Sequence, residues 1–380
     1  MAFNAQPLFP GMLCESAIRL ADSVSPIVPD SRAANRTANA QLWASALEMG
    51  WASVLVDEKC GGMDGSLADV AAMVEGLALQ GVAAPVIERC AAVPTLLRVV
   101  ADSHPLSGLR QSIAEGSAHV GWLLGDDDAR VEARALDDGK YQLRGARVQS
   151  EAGVNATHYL LIVSLHEGGR SAPALLLLDA EPLAQAMQDF DAADETPMVD
   201  LDLTRLGGPI EAACLAHGDG VLQAELAAKS VSTLLVCVDS LSRLATLLEQ
   251  TVEHLSTRIQ FDVPLASFQA LRHKAVDVFV MYETARGLVA HACARAEEGL
   301  AEAARDIRLA KYYMGKVGRL AAETAIQMHG AMGMSQELPA ARLAKRLITN
   351  DFRHGDRLYQ GARLASTLAR DLAAAGERHA

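Results

Sequence analysis

The sequence predicts a multidomain protein of mixed α and β structure. A helical N-terminal domain spans residues 1–116, an antiparallel β-sheet or small barrel forms a middle domain over 117–219, and a four-helix bundle forms the C-terminal domain over 220–380. Three observations predict it. Helical stretches alternate with turn signals up to about Gly116, short β-type runs crowd the middle, and long breaker-poor helical stretches fill the remainder. A chain of 380 residues with 50% hydrophobic side chains can bury two or three packed layers.

In the first region, Asn39 to Met49 places Leu42, Ala46 and Met49 at helical spacing, with Trp43 and Leu47 beside them. The break Cys60-Gly61-Gly62-Met63-Asp64-Gly65-Ser66 can adopt positive φ, and Ser66 with Asp69 can cap the helix carrying Val70, Met73, Val74 and Leu77. A phosphate-binding glycine loop is the alternative reading of that break, but neither a strand-loop-helix pattern nor a lysine follows.

Between His119 and Ala216 six β-type runs are expected: Val120 to Leu124, Arg130 to Leu136, Tyr141 to Val148, Tyr159 to Ser164, Ala174 to Leu178 and Met198 to Leu203. Asp138-Gly139 is a hairpin signal. Strands joined by turns, with no helix between them, argue against a doubly wound nucleotide fold.

After Gly220, Phe268, Leu271, Ala275, Val278, Tyr282, Ala285, Val289 and Ala292 recur every three or four residues, one apolar stripe on one long helix. Similar patterns run through Leu222 to Leu255, Ala301 to Met328 and Pro339 to Ala375. They are broken at Phe261-Asp262-Val263-Pro264, at Glu298-Gly299 and over Gly330 to Gly333, which suggests an antiparallel four-helix bundle.

The net charge of −13 repels phosphate backbones, and no basic stripe offsets it, so nucleic acid is excluded as a partner. No apolar run reaches the roughly 20 uncharged residues of a membrane helix, and Met1 to Cys14 has no basic residue ahead of its apolar ones; a cytoplasmic protein is expected. The six cysteines, Cys14, Cys60, Cys90, Cys214, Cys237 and Cys293, form no CxxC pair and are expected to be reduced. The histidines form no HxxxH or similar pair that would suggest a metal.

The C-terminal region carries motifs. Arg258-Ile259-Gln260-Phe261-Asp262-Val263-Pro264-Leu265-Ala266-Ser267-Phe268-Gln269 resembles the R-x-x-F-G-x-P-[IL]-x-x-F-Q segment of acyl-CoA dehydrogenases. Tyr282-Glu283-Thr284-Ala285-Arg286 resembles that family's helix with E-x-A-R. Gln327-Met328-His329-Gly330-Ala331-Met332-Gly333, followed by Pro339, resembles its Q-x-x-G-G-x-G loop, with Ala331 replacing the second glycine. The similarity extends over nearly the whole chain and to the order of its domains.

The resemblance implies that Arg258, Phe261, Gln269, Gln327 and Gly330 reach across a dimer interface to the adenine and pyrophosphate half of an FAD held mainly by a neighbouring subunit. A forked guanidinium suits phosphate oxygens, and glycines at Gly330 and Gly333 permit close backbone approach. Pairing of Arg258 with an acidic neighbour, and glycines that only turn the chain, are the structural alternatives.

The sequence also departs from the family. Ungapped alignment from Gln327 places His354-Gly355-Asp356 on the E-G-T segment that carries the catalytic base, and counting back from Arg258 places Ser232, beside Thr233, at the family's second location for that base. Neither position is acidic. His354 titrates in a usable range but stands close to Arg353 and Arg357, so a catalytic and a structural role both remain open. In the β region, Leu123-Leu124-Gly125-Asp126-Asp127-Asp128 replaces a T-E-x-x-x-G-S-D segment. Within Gly145 to Gly153, Gln149 and Glu151 stand where a W-I-T or W-I-S strand presents an aromatic ring and a hydroxyl to the isoalloxazine.

The expectation is therefore a subunit of an FAD-dependent acyl-CoA dehydrogenase that performs α,β-dehydrogenation of a CoA thioester. It would complete the FAD site of a homologous catalytic subunit in an α2β2 heteromer. The resemblance implies an acyl-CoA substrate, electron-transfer flavoprotein as acceptor and, by analogy with bacterial heteromers of steroid breakdown, a bulky steroid-derived acyl group. An autonomous flavoenzyme using His354, or a structural homologue with no cofactor role, are the competing readings.

Overall fold

The computed structural model describes residues 3–23, 32–125, 130–136, 139–151 and 153–377. The predicted Asp126 to Asp128 and Ala152, together with Asp138 of the hairpin signal, lie outside them. The residues group into two compact units: Met1–Asn35, Leu67–Ala83 and Thr233–Ala380 in one, Arg36–Ser66 and Ala84–Ser232 in the other.

The N-terminal part holds α1 (Met12–Ser23), α2 (Arg32–Glu48), α3 (Leu67–Leu79), α4 (Val93–Leu97) and α5 (Leu109–Ala114). Leu42, Trp43 and Ala46 of α2 are buried, as their spacing requires, whereas Met49 falls beyond the helix and is 40% exposed. In the break before α3, Gly61 has φ 78°, and Gly62 lies so close to Val56 that a Cβ would collide with its backbone. That loop is a tight turn of the chain on itself.

The strands are β1 (Val120–Leu123), β2 (Glu132–Ala135), β3 (Lys140–Arg144), β4 (Arg147–Ser150), β5 (His158–Glu167), β6 (Arg170–Asp179), β7 (Met187–Asp191), β8 (Pro197–Asp202), β9 (Ile210–Glu211) and β10 (Ala213–His217), with a short α6 (Ala180–Leu183) before β7. A seven-stranded sheet runs β10-β6-β5-β2-β3-β9 with β1 also on β5, and a three-stranded antiparallel sheet runs β4-β8-β7. The run expected from Tyr141 to Val148 is two strands, because the chain leaves one sheet at Gly145 and enters the other.

The long hairpin β5–β6 is closed by Gly168 (φ 57°) and Gly169 (φ 78°), the two positive φ values of a type I′ turn. Its apolar run does not alternate because both faces are covered. Leu160, Ile162, Leu175 and Leu177 join one core with Leu96 and Ala228, while Leu161, Val163, Leu176 and Leu178 join another with Val148 and Leu201. One feature differs from a purely antiparallel sheet: β1 and β2 lie end to end along one edge of β5, both parallel to it.

The C-terminal helices are α7 (Asp219–Thr257), α8 (Gln269–Glu298), α9 (Leu300–His329), α10 (Pro339–Phe352) and α11 (Arg357–Glu377). A short hairpin, β11 (Ile259–Gln260) with β12 (Val263–Pro264), joins α7 to α8. The stretch expected as one helix from Pro339 to Ala375 is two. His354 (φ 56°) and Gly355 (φ 88°) enter the left-handed region and end α10. Asp356 restarts the chain as the cap of α11, its Oδ1 accepting the Tyr359 N–H at 2.8 Å. Leu234, Leu235, Val236, Cys237 and Val238 are each 0% exposed, so α7 is buried on all sides over this stretch. It is long and apolar enough to cross a membrane, and nearly all of that stretch is buried in the protein itself.

Candidate functional site

The first motif lies on the α7–α8 connection. Arg258 ends α7, its N–H donating to the His254 carbonyl at 2.9 Å, while its own carbonyl accepts the Leu265 N–H at 2.9 Å across the hairpin. The turn is Phe261 (φ 54°) followed by Asp262 (φ 65°), the positive pair of a type I′ turn. Asp262 stands where the related motif has glycine; its short side chain tolerates this region better than most. Phe261 tolerates it poorly, yet its ring is 86% exposed, touching Phe268 edge-on at 6.2 Å. Gln269 begins α8, its Nε2 3.4 Å from His273 Nε2.

The second motif meets the first because α8 and α9 pack antiparallel, returning the end of α9 to the start of α8. His329 stacks on His254 with ring centroids 4.3 Å apart, and its Nε2 lies 3.4 Å from Thr251 Oγ1. Burial and the neighbouring imidazole depress the His329 pKa to about 4, and burial and Arg258 lower that of His254. Both rings are therefore neutral near pH 7.

Gly330 (φ 65°, ψ −141°) holds a conformation that side chains disfavour, and no atom lies within 4 Å of where its Cβ would be. Gly333 is different. A Cβ there would strike the backbone of Ile326, so its close approach is to its own chain and not to a ligand.

Arg258, Phe261, Gln269, Gln327 and Gly330 are all exposed at this one end of the bundle. Among the described residues the Arg258 guanidinium has no carboxylate partner, contrary to the structural alternative of an ion pair. Ile259, next to it in the chain, is 60% exposed, an apolar side chain beside a permanent cation.

His354 is elsewhere. Asn350, one turn before it, bonds to Asp239 and Ser240, and Lys311 bonds to the end of α10; Ser240 lies about 20 Å from His254 along α7 at 1.5 Å per residue. This turn is held from within. Lys311 Nζ donates to the carbonyls of Asn350 (2.5 Å) and Asp351 (3.0 Å), and Gln360 Nε2 donates to the His354 carbonyl (3.0 Å). Beneath it Asp239 receives a two-pronged bond from Arg243, both contacts 2.9 Å, with Arg346 Nε at 3.7 Å. Burial alone would raise the Asp239 pKa, but these guanidiniums hold it well below the usual carboxylate range. Ser232 is 1% exposed, and its Oγ has no partner among the described residues; it offers no base.

In the other unit, Gln149 is exposed on β4, its Nε2 3.4 Å from Asp200 Oδ1. Sequence reasoning missed Glu88. It sits in a π-helical turn, Ile87–Ala92, and is 7% exposed. Its carboxylate accepts the N–H of Trp122 (2.6 Å), the Ser150 hydroxyl (2.5 Å) and the N–H of Glu151 (3.0 Å). Arg89, beside it, donates to the Val154 carbonyl at 3.0 Å and lies over Trp43 at 4.9 Å. An adjacent Glu-Arg inside the apolar run Val86 to Val93 was the available signal, since such residues are buried only when partnered. The aromatic ring and hydroxyl that the family presents to a flavin are absent from β4 and Glu151, so this unit's own residues do not fit that ring.

Residues 219–368 match the family described as acyl-CoA dehydrogenase, C-terminal domain. Acyl-CoA dehydrogenase IpdE2 of Mycolicibacterium smegmatis is 26% identical over 298 residues, 78% of each chain. Among solved structures, a chain of the ChsE4–ChsE5 complex from Mycobacterium tuberculosis superposes with TM-score 0.78 at 22% identity, covering 95% of this chain and 98% of that one. A chain from a variant of the Tcur3481–Tcur3483 steroid acyl-CoA dehydrogenase gives TM-score 0.77 at 20% identity, over 95% and 98%. Residues 219–368 thus belong to the acyl-CoA dehydrogenase C-terminal domain family, and the chain shares the fold of these solved acyl-CoA dehydrogenases over nearly its whole length.

Proposed function

We propose that this chain is the noncatalytic-type subunit of a heteromeric, cytoplasmic acyl-CoA dehydrogenase, completing the FAD site of a homologous catalytic subunit. The observation that carries the reading is the exposed Arg258 guanidinium, without a carboxylate partner among the described residues, at the same end of the bundle as Phe261, Gln269, Gln327 and the open backbone of Gly330. A forked cation and a backbone with no Cβ suit a pyrophosphate, and the exposed Ile259 and Phe261 of the hairpin suit burial by another subunit. The positions of the catalytic base hold His354 and Ser232, one in a braced turn and the other buried.

When bound, the flavin supplies the electron acceptor for α,β-dehydrogenation. This chain's part is to hold the diphosphate, to keep the neutral His254 and His329 packed behind Arg258, and to bury the hairpin against its partner. The partner supplies the base, and electron-transfer flavoprotein takes up the electrons. A shared fold with a chain of the ChsE4–ChsE5 complex and with a steroid acyl-CoA dehydrogenase supports a heteromer acting on a bulky, steroid-derived CoA thioester.

Co-expression with a homologue bearing the glutamate tests the proposal. The expected product is a yellow complex with one FAD per heterodimer. In that complex Arg258→Ala should weaken FAD binding by about 10- to 100-fold while the subunits stay associated, as expected for losing charge-assisted bonds to phosphate. Unchanged FAD occupancy in Arg258→Ala would refute the role assigned to this end of the bundle.

A further inference from the structure

We infer that Glu88 fills the isoalloxazine position of this chain's own β unit, acting as a built-in acceptor that closes it to flavin. The inference deepens the reading of a chain that carries no flavin of its own, and it rests on different residues from those that would serve the partner's FAD.

The geometry is that of a wedge. Leu124 and Gln149 exchange both backbone hydrogen bonds, each 2.8 Å, and form the one bridge joining β1's strand line to β4 among the described residues. In an antiparallel ladder the next hydrogen-bonded pair lies two residues along each strand, at Trp122 and Glu151. Those two N–H groups do not reach across to each other's carbonyls. Both end on Glu88, one on each carboxylate oxygen, and the Ser150 hydroxyl between them ends there too. The carboxylate thus sits in the fork where the two strands part.

That fork is bounded by the two segments that alignment puts in the places of the family's flavin-contacting ones, the run beginning at Leu123 and the run through Gln149 to Glu151. The oxygens and unprotonated nitrogens of an isoalloxazine are acceptors, as a carboxylate is, so both compete for the same donors. Three donors on one buried carboxylate make a satisfied site, and displacing it would strand a charge away from water. A reduced, anionic ring would also meet a fixed negative charge. Gly121 adds to the closure, since a Cβ there would lie 2.9 Å from Ser150 Oγ.

Lumiflavin, which is the ring without the diphosphate, tests this separately from the Arg258 site. It is titrated into the full-length chain with fluorescence as readout, and amide exchange is followed in peptides covering 120–124 and 147–151. The wild-type chain should leave lumiflavin fluorescence unquenched, with slow exchange at Trp122 and Glu151 that lumiflavin does not alter. In Glu88→Ala, folded by circular dichroism, exchange at those amides should rise at least about tenfold, as expected for losing a charge-assisted bond. Quenching with added protection of 147–151 in the wild type overturns the inference, and so does unchanged exchange in a folded Glu88→Ala. The wild-type titration decides the matter even where the variant does not fold. A chain that binds lumiflavin while its complex still loses FAD on Arg258→Ala would fail this inference and keep the proposed function.

Discussion

The two ends of the C-terminal bundle are built from the same helices and treat polar groups in opposite ways. At the α10–α11 turn the named polar groups bond within the chain: Lys311 to two carbonyls, Asp239 to Arg243 and Asn350, Gln360 to the His354 carbonyl. At the hairpin end the backbone is strained at Phe261 and Asp262, an aromatic ring faces solvent, and the Arg258 guanidinium lacks a carboxylate among the described residues. The first end is held by its own hydrogen bonds, whereas the second leaves a cation and an aromatic ring open to solvent.

Disrupting the satisfied end should cost most. Asp239→Ala leaves Arg243, whose side chain is 2% exposed, without its counter-charge, and a destabilisation of about 3–5 kcal/mol is expected in urea denaturation. Arg258→Met at the other end should leave the denaturation midpoint nearly unchanged, because that cation is exposed.

Changes of pH should separate the two ends by window. Burial lowers Lys311 from 10.5 to about 8, so between those values the unfolded chain keeps a proton that the native chain has lost. Stability should therefore rise with pH across that window, by on the order of 3 kcal/mol, and Lys311→Met should flatten the rise. His329 is depressed from 6.5 to about 4, so below 6.5 the unfolded chain takes up a proton that the native ring refuses. Stability should fall as pH drops from 6.5 towards 4, with a smaller fall in His329→Asn, read from thermal midpoints at each pH.

Glycine replacements sharpen the contrast at the next scale. Gly330→Ala meets open space but a disfavoured φ and ψ, so a cost of about 1–3 kcal/mol is expected from strain alone. Gly315→Ala has no such strain and instead drives a methyl into Asp351 Oδ1, the acceptor of the Arg357 N–H. Its cost should exceed that of Gly330→Ala in the same assay. The smallest effect is a gain. Asp262→Gly relieves a positive φ and should stabilise the chain by up to about 1 kcal/mol, measured as a raised thermal midpoint.

The C-terminal helices were largely legible because their signals are local. Of the stripe expected from Phe268 to Ala292, the part from Val278 onward is buried in α8, whereas Phe268 precedes the helix and is 37% exposed and Leu271 and Ala275 are half-buried; the breaks at Phe261 to Pro264 and at Gly299 fall where turn residues cluster. The split of the last helix was not legible, since His354 has no intrinsic need for positive φ and takes it only because Lys311 and Gln360 hold its neighbours. In the β unit the strands were readable from their apolar runs. The parallel edge formed by β1 and β2 was not, because pairing partners are a property of the whole sheet.

Sequence by itself determined which residue types stand at the family's motif positions: Arg258, Gln327 and Gly330 present, a glutamate absent at 354 and 232, and Gln149 in place of an aromatic. Those identities are fixed one residue at a time and need no fold to be read. Only the tertiary structure decided that Arg258 lacks a carboxylate partner among the described residues, that two motifs nearly 60 positions apart share one exposed end, and that Glu88 reaches Trp122 and Glu151, 34 and 63 residues away. The physical reason is that burial and hydrogen-bond partners are set by packing between segments distant in sequence, where neither spacing nor composition carries a signal.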